Sequence, residues 1–336
     1  MREPLYPIEA VSRTTGLEEG TIRFLEKEFG RFFEFTEIAP LKREFNLRQI
    51  TILRRISQLW QEEGLSLDSI KSRLLAHQSR TARDVWTIAV TSGKGGVGKT
   101  SIVTNLSIAL AERGLKTVVL DADLGLANTH VAMGLDPRYT LYDLLQQDVC
   151  IEDIVLEGPG GVRLIPGGSG VFGLAELDEG KRDYIVGELK KISASADVLL
   201  IDTAAGISAN VIRFLDLADD VIVTATPNIM SLLDAYGVIK TMYEENITTP
   251  VNVLVNMARS AAQAREVYTK IDQCSRQFLK WDLQYAGHVK KDLNIDRAIQ
   301  LRRPLLQAYA QSPASKCIRS IAGRLAEKAA AGKHTE

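Results

Sequence analysis

The nine residues SGKGGVGKT, at positions 92–100, constrain the fold of this chain more than any other segment. They follow an apolar run, VWTIAVT, and precede SIVTNLSIALAERG, whose apolar residues recur with helical spacing. A strand, a loop of the form GxxxxGK[ST] and a helix, in that order, are typical of a loop that wraps nucleotide phosphates. The sequence therefore predicts a phosphate-binding loop within an α/β domain.

Each residue type in this loop suits contact with a polyphosphate. Glycine has no Cβ atom, so backbone N–H groups approach phosphate oxygens closely, and the N-terminal end of the following helix is positive. We expect Lys99 to reach the β- and γ-phosphates and the Thr100 hydroxyl to ligate Mg²⁺. The nucleotide contacts expected from this loop are Gly93, Lys94, Gly95, Gly96, Val97, Gly98, Lys99, Thr100 and Ser101.

The chain beyond the loop alternates apolar, β-branched runs with segments of helical period. Runs such as DVLLID are apolar throughout, which indicates strands that are buried on both faces. The sequence thus predicts an α/β fold with a doubly wound, mostly parallel sheet that binds ligands at the carboxyl ends of its strands. Strands are expected at 86–91, 117–121, 162–165, 198–202, 221–226, 251–256 and 285–289, and helices at 101–113, 180–192, 230–244 and 263–279.

Carboxylates follow two of these strands at the edge where a metal–nucleotide complex would bind. VVLDADLG ends one strand with Asp121 and Asp123, and VLLIDTAAG ends another with Asp202. We expect Asp202 to bind or orient Mg²⁺ and Asp123 to polarise the attacking water. Asp121 is either a further metal ligand or a structural residue. Gly206 lies in the loop after Asp202, where its backbone N–H is expected to sense the γ-phosphate.

Lys94 gives the loop a second lysine, although Lys99 already supplies the cation that the loop's own phosphates need. The segment KGGVGKT resembles the deviant Walker A motif of the MinD/ParA ATPases, whose extra lysine reaches the nucleotide of a dimer partner. The resemblance implies an ATP-bound homodimer in which Lys94 joins Lys99 and Asp123 as a catalytic residue. Such a lysine neutralises two facing polyphosphates. The alternative is a mobile surface lysine.

The resemblance covers about residues 85–328 and implies further contacts. DADLGLAN is similar to the first switch segment of MinD-like proteins and includes Asn128, and IDTAAGIS is similar to the second. Pro227, in TATPN, and Asn256, in VLVNMA, match positions near the ribose and the base, with Asn256 expected to bind adenine. The segment GHVKKD matches a loop that covers the adenine, which makes Asp292 a further candidate.

Two longer segments, LYDLLQQDVCIEDIV and RLIPGGSGVFGLAEL, are most similar to the FlhG/FleN branch, the MinD-like ATPases that set flagellar number and position. The resemblance implies a slow ATPase that uses ATP and Mg²⁺ and that a protein partner stimulates. That branch often begins with an Asp-Gln-Ala-type motif, which this sequence lacks. Direct activation of an FlhF-like GTPase is therefore not expected.

The first 78 residues have a different pattern. YPIEAVSRTTGLEEGTIRFLEKEF places Gly16 between two segments of helical period, which predicts a helix-turn-helix. Together with LKREFNLRQI and the helical pattern after it, this part resembles the small all-α, winged helix-turn-helix domain of MerR-type regulators. The implied DNA contacts are Thr21, Arg23 and Lys27 in the major groove, and Lys42, Arg43 and Arg48 on phosphates.

The charge of this domain does not decide whether its partner is DNA or protein. Residues 1–80 contain 13 lysines and arginines and 12 aspartates and glutamates, whereas a strong phosphate binder has a clear basic excess. The domain is expected to bind DNA, to use the same fold for protein contact, or to be a structural appendage. The expected domains are a helix-turn-helix domain at 1–78, a linker at 79–85 and the ATPase domain at 86–336.

Composition excludes several function classes. The 336 residues have a net charge of −1, so the whole molecule is no polyelectrolyte partner for nucleic acid or membrane, and no run of 18 apolar residues predicts a spanning helix. The start of the chain lacks the pattern of a secretory signal, which favours a cytoplasmic protein, at most peripherally bound to membrane or polar. Three single cysteines, expected to be buried free thiols, fit no disulfide framework or iron–sulfur cluster.

Two functions other than a positioning switch stay open at this point. An ATP-gated transcription regulator would pair two N-terminal domains on a palindromic site, and a ParA-type partition ATPase would bind DNA without sequence preference. Apolar residues around Ile318 predict a C-terminal helix that packs on the ATPase core or contacts a membrane weakly. The candidate partition contacts are Arg297, Arg302, Arg303, Arg319 and Arg324.

Overall fold

A computed structural model of the chain describes residues 6–29, 44–45, 49–50, 53–54, 56–57, 60, 66–67, 69–71, 85–146, 149–168, 184–185, 187–189, 192 and 195–332. The chain divides into two compact units, residues 1–81 and 82–336. Residues 79–84 of the expected linker lie outside the described part.

The first unit begins with the predicted helix-turn-helix. Helix α1, Ile8–Thr15, ends at Gly16, which has a φ of 71° and donates its N–H to the Ser12 carbonyl. Only glycine adopts this left-handed conformation without strain, so Gly16 ends the helix. Helix α2, Glu19–Glu28, follows. The buried side chains beneath both helices include those of Val11, Ile22, Leu25, Phe29 and Phe45.

A short strand pair joins the helices of this unit. Strand β1, Tyr6–Pro7, is antiparallel to β2, Glu44–Phe45. The buried Phe45 side chain extends from β2 into the core shared with the helices.

The second unit is built on an eight-stranded sheet. From one edge to the other its order is β10-β9-β8-β3-β7-β4-β6-β5, and every neighbouring pair is parallel except β5 with β6. The chain thus winds to both sides of β3, as the alternation of strands and helices predicts. The strands are β3 Trp86–Thr91, β4 Thr117–Ala122, β5 Leu156–Glu157, β6 Arg163–Ile165, β7 Val198–Thr203, β8 Asp220–Ala225, β9 Val251–Ala258 and β10 Gln284–Lys290.

Helices cover both faces of this sheet. Alternate residues of one strand enter different cores: Ala89 packs with the cluster beneath α8, whereas Ile88 and Val90 pack with the cluster beneath α3. The helices are α3 Lys99–Ala111, α4 Thr129–Met133, α5 Leu141–Leu145, α6 Ile151–Ile154, α7 Ala209–Leu217, α8 Ile229–Glu244, α9 Ala261–Cys274, α10 Leu293–Gln300, α11 Leu305–Ala308 and α12 Pro313–Gly332.

All seven predicted strands are present, with ends that differ by at most two residues. The two-residue strand β5 was not predicted, because so short a segment has no recognisable alternation. The helix predicted at 263–279 is α9 followed by one π-helical turn, Ser275–Leu279. The helix predicted at 180–192 falls largely outside the described residues.

Helix α12 packs on the ATPase core, as the first of the two interpretations of this segment predicts. Ile318 and Ile321 are buried against α3 and β10. The Arg319 guanidinium donates two hydrogen bonds, of 2.7 and 2.9 Å, to the carboxylate of Glu112 at the end of α3. The apolar face that a membrane would need is therefore covered. Among the helices that the structure describes, none is long and apolar enough to span a bilayer.

The expectation that the cysteines are buried is wrong for two of them. Cys150 and Cys274 are exposed, and Cys317 is partly exposed. Cys150 precedes α6, and the Asp153 carboxylate accepts hydrogen bonds from its backbone N–H at 3.1 Å and from its thiol at 2.8 Å. Cys274 is the last residue of α9, on its outer side.

Candidate nucleotide-binding site

The predicted phosphate-binding loop lies between the carboxyl end of β3 and the start of α3. Its glycines are required for different reasons. Gly96 and Gly98 have φ angles of 78° and 88°, a region that side chains strain. Gly93 lies against α8, where a Cβ atom would stand 2.1 Å from the Asp234 carbonyl oxygen. The loop is therefore fixed in shape by both its own backbone and its contact with α8.

A buried amide holds the middle of the loop. The Asn256 side chain, 2% exposed at the end of β9, donates a 2.7 Å hydrogen bond to the Val97 carbonyl. Its Oδ1 accepts a bond from the Met257 N–H. A Cβ atom on Gly98 would stand 2.5 Å from the Asn256 nitrogen. In this conformation Asn256 anchors the loop, and adenine binding by this residue stays a prediction.

Two aspartates face each other beside the loop. Asp121 on β4 is the register partner of Asp202 on β7. Thr129, the first residue of α4, joins them: its backbone N–H donates to Asp121 at 2.9 Å, and its hydroxyl donates to Asp202 at 3.1 Å. Both carboxylates are 1% exposed. The structure thus places the two strand-end aspartates together, as parallel strands require.

Burial shapes the charge of this pair. Desolvation, followed by the negative charge of Asp202, raises the pKa of Asp121 to about 7. Desolvation also raises the pKa of Asp202 to about 6, although the nearby Lys99 ammonium and hydrogen bonding to Thr100 and Thr129 lower it. Two buried carboxylates this close avoid both being charged unless a cation lies between them or a proton neutralises one.

The donor set fits Mg²⁺. The second Asp202 oxygen, Oδ1, is buried and has no geometrically acceptable hydrogen bond among the described residues, although Thr100 lies near enough to lower the pKa of the carboxyl. Carboxylate and hydroxyl oxygens are hard ligands that Mg²⁺ prefers. No group of three or more acidic, histidine or cysteine side chains suited to a metal occurs in the described part of the chain. Mg²⁺ commonly completes its shell with phosphate oxygens and water.

The remaining cations and carboxylates surround this pair. Lys99 is buried at the start of α3 with its charge close to Asp202. Asp123 is half-buried, and its Oδ1 accepts a 3.1 Å bond from the Leu126 N–H. Asn128 is exposed immediately before α4.

Lys94 is held by its backbone but not by its side chain. The Ser92 hydroxyl donates a 2.8 Å hydrogen bond to the Lys94 carbonyl. The Lys94 ammonium has no ion pair or hydrogen bond to any residue that the structure describes. The same Ser92 accepts, through its own carbonyl, a 2.9 Å bond from the Gly206 N–H. In this conformation the Gly206 N–H therefore points to Ser92, and its expected contact with a γ-phosphate requires that bond to break.

Asp292 has a structural role that its sequence context did not indicate. One carboxylate oxygen accepts from the Asn294 N–H at the start of α10, and the other accepts from the Ala314 N–H at the start of α12. Burial raises the pKa of Asp292, but these hydrogen bonds outweigh it and hold the pKa below its usual value. Pro227 is half-buried between β8 and α8. Contact of either residue with a nucleotide stays a prediction.

The candidate DNA contacts divide into two groups. On α2, Arg23 and Lys27 are exposed and Thr21 is half-buried. The predicted phosphate contacts Lys42, Arg43 and Arg48 lie outside the described residues.

The arginines considered for a partition ATPase do not form one open surface. Arg319 pairs with Glu112, and Arg302 pairs with Asp136 at 2.8 Å. Arg324 donates a 2.6 Å bond to the Ala286 carbonyl. Arg297 donates a 3.3 Å bond to Asn294, so the structure gives four of the five arginines partners within the protein.

Comparison with known proteins places this geometry in a family. Residues 88–305 match the sequence profile of the CobQ/CobB/MinD/ParA nucleotide binding domain. The chain belongs to this MinD/ParA family. Antiactivator FleN of Pseudomonas aeruginosa is 38% identical over 248 residues, which are 74% of this chain and 89% of FleN. The flagellum site-determining protein YlxH of Helicobacter pylori is 32% identical over 73% of this chain and 83% of YlxH.

Solved structures agree with this placement in the MinD/ParA family. The MinD of the MinC:MinD cell division complex from Aquifex aeolicus superposes with a TM-score of 0.61 at 28% identity, over 72% of this chain and 96% of that one. The N-terminal part is distinct: residues 6–76 match the profile of the MerR helix-turn-helix regulatory proteins. The two resemblances seen in the sequence are thus confirmed, and the chain is a P-loop ATPase of the MinD/ParA type.

Sequence reasoning missed three positioning residues. Thr129 joins the two aspartates, Ser92 holds both the Lys94 and the Gly206 backbones, and Asn256 anchors Val97. Ser92 belongs to the phosphate-loop motif and Thr129 directly follows the segment DADLGLAN, but no spacing rule assigns their side chains to these bonds. The folded strands bring Thr129 to Asp202 and Asn256 to Val97.

Proposed function

We propose that this protein is a nucleotide-driven switch: it binds Mg²⁺–ATP, pairs with a second copy through Lys94, and separates after hydrolysis. The observation that supports this most directly is that Lys94, a residue of the phosphate loop, has no ionic partner for its ammonium among the described residues. A fixed backbone and a free cation suit a side chain that meets an anion supplied by another molecule. The anion is the polyphosphate in the other subunit.

An apolar rim around the site supports self-association. Leu126 follows β4, Ile207 follows β7, and Ile229, Met230 and Leu233 begin the helix after β8. Their exposed fractions range from 54% to 73%. All of them follow carboxyl ends of strands, on the side of the sheet that carries the phosphate loop. Exposed apolar surface gathered at one place is typical of an interface.

Within each subunit the described residues have separable roles. Lys99 and the backbone of residues 93–98 bind the phosphates, and Thr100, Asp202 and Asp121 hold the metal ion. Bound Mg²⁺ supplies charge neutralisation at the β- and γ-phosphates. Asp123, which is half-buried at the rim of the site, orients the attacking water. Turnover is slow, because the described part of the site contains no arginine aimed at the phosphates.

The proposed cellular role is inferred from the names of two similar proteins. FleN is named an antiactivator and YlxH a flagellum site-determining protein. The solved complex of MinD with MinC involves a second, different protein. We therefore infer that this chain controls the number or position of a cellular structure such as the flagellum, through a protein partner that responds to the ATP-bound dimer.

Size-exclusion chromatography with Mg²⁺ and a non-hydrolysable ATP analogue tests the central claim. The unaltered protein is expected to elute as a dimer and Lys94→Ala as a monomer. Lys240→Ala removes a cation that is 53% exposed on the outer part of α8 and is expected to dimerise normally. Equal dimer fractions for Lys94→Ala and the unaltered protein would contradict the proposal.

A second function, DNA binding by the first unit, is supported by its helix-turn-helix and by its MerR profile match. Exposed Arg23 and Lys27 on α2 are the side chains offered to the groove. The double variant Arg23→Glu/Lys27→Glu of the full chain is expected to lose duplex binding at least about tenfold, since each contact contributes about 1–3 kcal/mol. The same charge change at Lys240 and Lys270 is the control, and equal retention of both variants would exclude this role.

A further inference from the structure

Residues 290–303, which begin at the last residue of β10, present apolar side chains to solvent. Leu293, Ile299 and Leu301 are 67%, 49% and 56% exposed. Of the eight residues of α10, only Ala298 is buried. Leu293 and Leu301 lie within about 80° of each other around the helix axis, whereas Ile299 lies on another side and also lines the space beneath α10. We call the exposed side chains of residues 290–303 the α10 surface.

The α10 surface is also basic. Residues 290–303 contain five lysines and arginines and two aspartates, in a chain whose net charge is −1. Lys290, Lys291 and Arg303 are exposed and have no ion pair within the described part of the chain. Asp292 does not neutralise these surface cations, because both of its carboxylate oxygens accept hydrogen bonds from backbone N–H groups at the starts of α10 and α12.

Helical spacing arranges these groups in a recognisable pattern. Leu293, Arg297 and Leu301 follow one another at intervals of four and so share one side of α10. Arg297 bonds only weakly within the protein, through a 3.3 Å contact with Asn294. The two leucines are thus separated and flanked by cations. Such a surface is complementary to a protein segment whose apolar side chains are flanked by carboxylates.

The same features disfavour other occupants. Residues 290–303 contain no aromatic side chain to stack on bases or to sit at a bilayer interface. Helix α10 has only eight residues, about two turns, which is short for an interfacial membrane helix. A nucleic acid would leave Leu293, Ile299 and Leu301 exposed. A protein segment covers the leucines and neutralises the cations at once.

The α10 surface is tied to the nucleotide site. Arg302, at the end of α10, has a φ of 48° and donates to the Leu135 carbonyl and the Asp136 carboxylate. These residues follow α4, whose first residue, Thr129, binds both metal-site aspartates. A Cβ atom on Gly134 would stand 2.5 Å from the Arg302 carbonyl oxygen, so the two segments are in tight contact.

A small space lies beneath α10. A cavity of about 10 Å³, enough for about one water, lies among α3, α4, α10 and α11. It is lined by Ser101 and Thr104 of the helix that begins in the phosphate loop, and by Ile295 and Ile299 of α10. Side chains of α10 thus share this small space with the helix that begins in the phosphate loop.

We propose that the α10 surface is a docking site for an acidic, amphipathic helical segment of a protein partner. The site is separate from the Lys94 dimer contact.

Fluorescence anisotropy with the nucleotide-free full chain tests the proposal directly. The probe is a labelled synthetic helical peptide whose leucines share one face and whose flanking positions are glutamates. A second peptide of the same composition spreads its leucines around the helix. The protein is expected to bind the first peptide at least about tenfold more tightly, a difference of about 1.4 kcal/mol. Equal affinity for the two peptides overturns the proposal.

Charge reversal locates the binding. Arg297→Glu/Arg303→Glu is expected to weaken binding of the amphipathic peptide about tenfold or more, whereas Lys240→Glu/Lys270→Glu, with the same charge change elsewhere, leaves it unaltered. Circular dichroism melts establish that all variants fold. Phosphatidylserine vesicles and duplex DNA are tested in parallel. Loss of vesicle or duplex binding in the α10 variant, with peptide binding unchanged, assigns the surface to lipid or nucleic acid and overturns the proposal.

Discussion

Asp121 and Asp202 lie side by side on neighbouring parallel strands, and one residue, Thr129, donates a hydrogen bond to each. Neither carboxylate has a basic side chain as a direct hydrogen-bonded partner among the contacts that the structure describes. The pair is therefore held together by the sheet in spite of its mutual repulsion. A protein tolerates such an arrangement when a cation or a proton neutralises it during function.

This pair predicts an unusual pH dependence of stability in the metal-free protein. The pKa values of Asp121 and Asp202 are raised to about 7 and about 6 from an ordinary value of 3.8. Between about pH 4 and pH 7 the folded state thus binds more protons than the unfolded state, so the free energy of unfolding falls as pH rises. Asp121→Asn removes one titrating group and is expected to flatten this slope.

Urea unfolding in EDTA at a series of pH values measures the slope. The exposed Asp282, 81% accessible on its side chain, provides the control, because Asp282→Asn leaves the slope unaltered. Added Mg²⁺ is expected to restore stability most strongly at the high-pH end, where the pair is ionised. Identical slopes for the unaltered protein and Asp121→Asn would show that the pair does not titrate in this range.

Gly93→Ala is expected to displace the phosphate loop. The new Cβ atom would stand 2.1 Å from the Asp234 carbonyl oxygen, a backbone atom of α8 that cannot rotate away. We expect a stability loss of about 1–3 kcal/mol, as for overpacked sites, and at least about tenfold weaker ATP binding by calorimetry.

The control for Gly93 lies on the same helix that it contacts. Around Gly237, in α8, a Cβ atom would meet nothing within 4 Å. Gly237→Ala is expected to stabilise the helix by up to about 1 kcal/mol and to leave ATP affinity unaltered. If the two variants bind ATP equally well, the close contact of Gly93 with α8 is not needed for the site.

Asn256→Ala tests whether Asn256 anchors the phosphate loop in addition to stabilising the fold. The substitution leaves the buried Val97 carbonyl without its donor, which costs about 1–3 kcal/mol and loosens the middle of the loop. Asn252→Ala is the matched control: this buried amide on the same strand bonds Asp220, away from the loop. Both variants are expected to melt earlier, but only Asn256→Ala is expected to weaken ATP binding in a filter or calorimetric assay.

Asp123→Ala is expected to slow hydrolysis without preventing nucleotide binding. The side chain is half-buried at the rim and makes one bond, to the Leu126 N–H, so its loss is tolerated by the fold. Groups that orient or activate water contribute about 10²–10⁴-fold, so we expect turnover to fall at least a hundredfold in a phosphate-release assay. Turnover within twofold of the unaltered protein would remove Asp123 from the mechanism.

Local patterns predicted most of the architecture and several of the segments that meet at the candidate site. The strand–loop–helix at 86–111 was recognisable because glycine spacing, strand hydrophobicity and helical period agree over one continuous segment. The aspartates at 121 and 202 were predicted to lie at the same edge of the sheet, but that they are direct neighbours follows from the pairing of β4 with β7. The helix-turn-helix was signalled by Gly16, whose left-handed conformation ends α1.

Other features depend on contacts between distant segments. Asn256 lies 159 residues from Val97, and no periodicity links the two. The sequence matched Asp292 to a loop that covers adenine. Its second role, accepting a hydrogen bond at the start of α12, depends on the packing of a helix that begins 21 residues later in the chain. The exposure of Cys150 and Cys274 depends on helix ends, whose positions patterns determine least well.

Helix α12 lies over α3, the helix that begins in the phosphate loop, and is linked to it by Arg319 and Glu112. The ribosome makes α12 after every strand of the sheet, so the apolar flank of α3 stays bare until this segment emerges. A nascent chain thus completes its nucleotide-binding scaffold only late in translation.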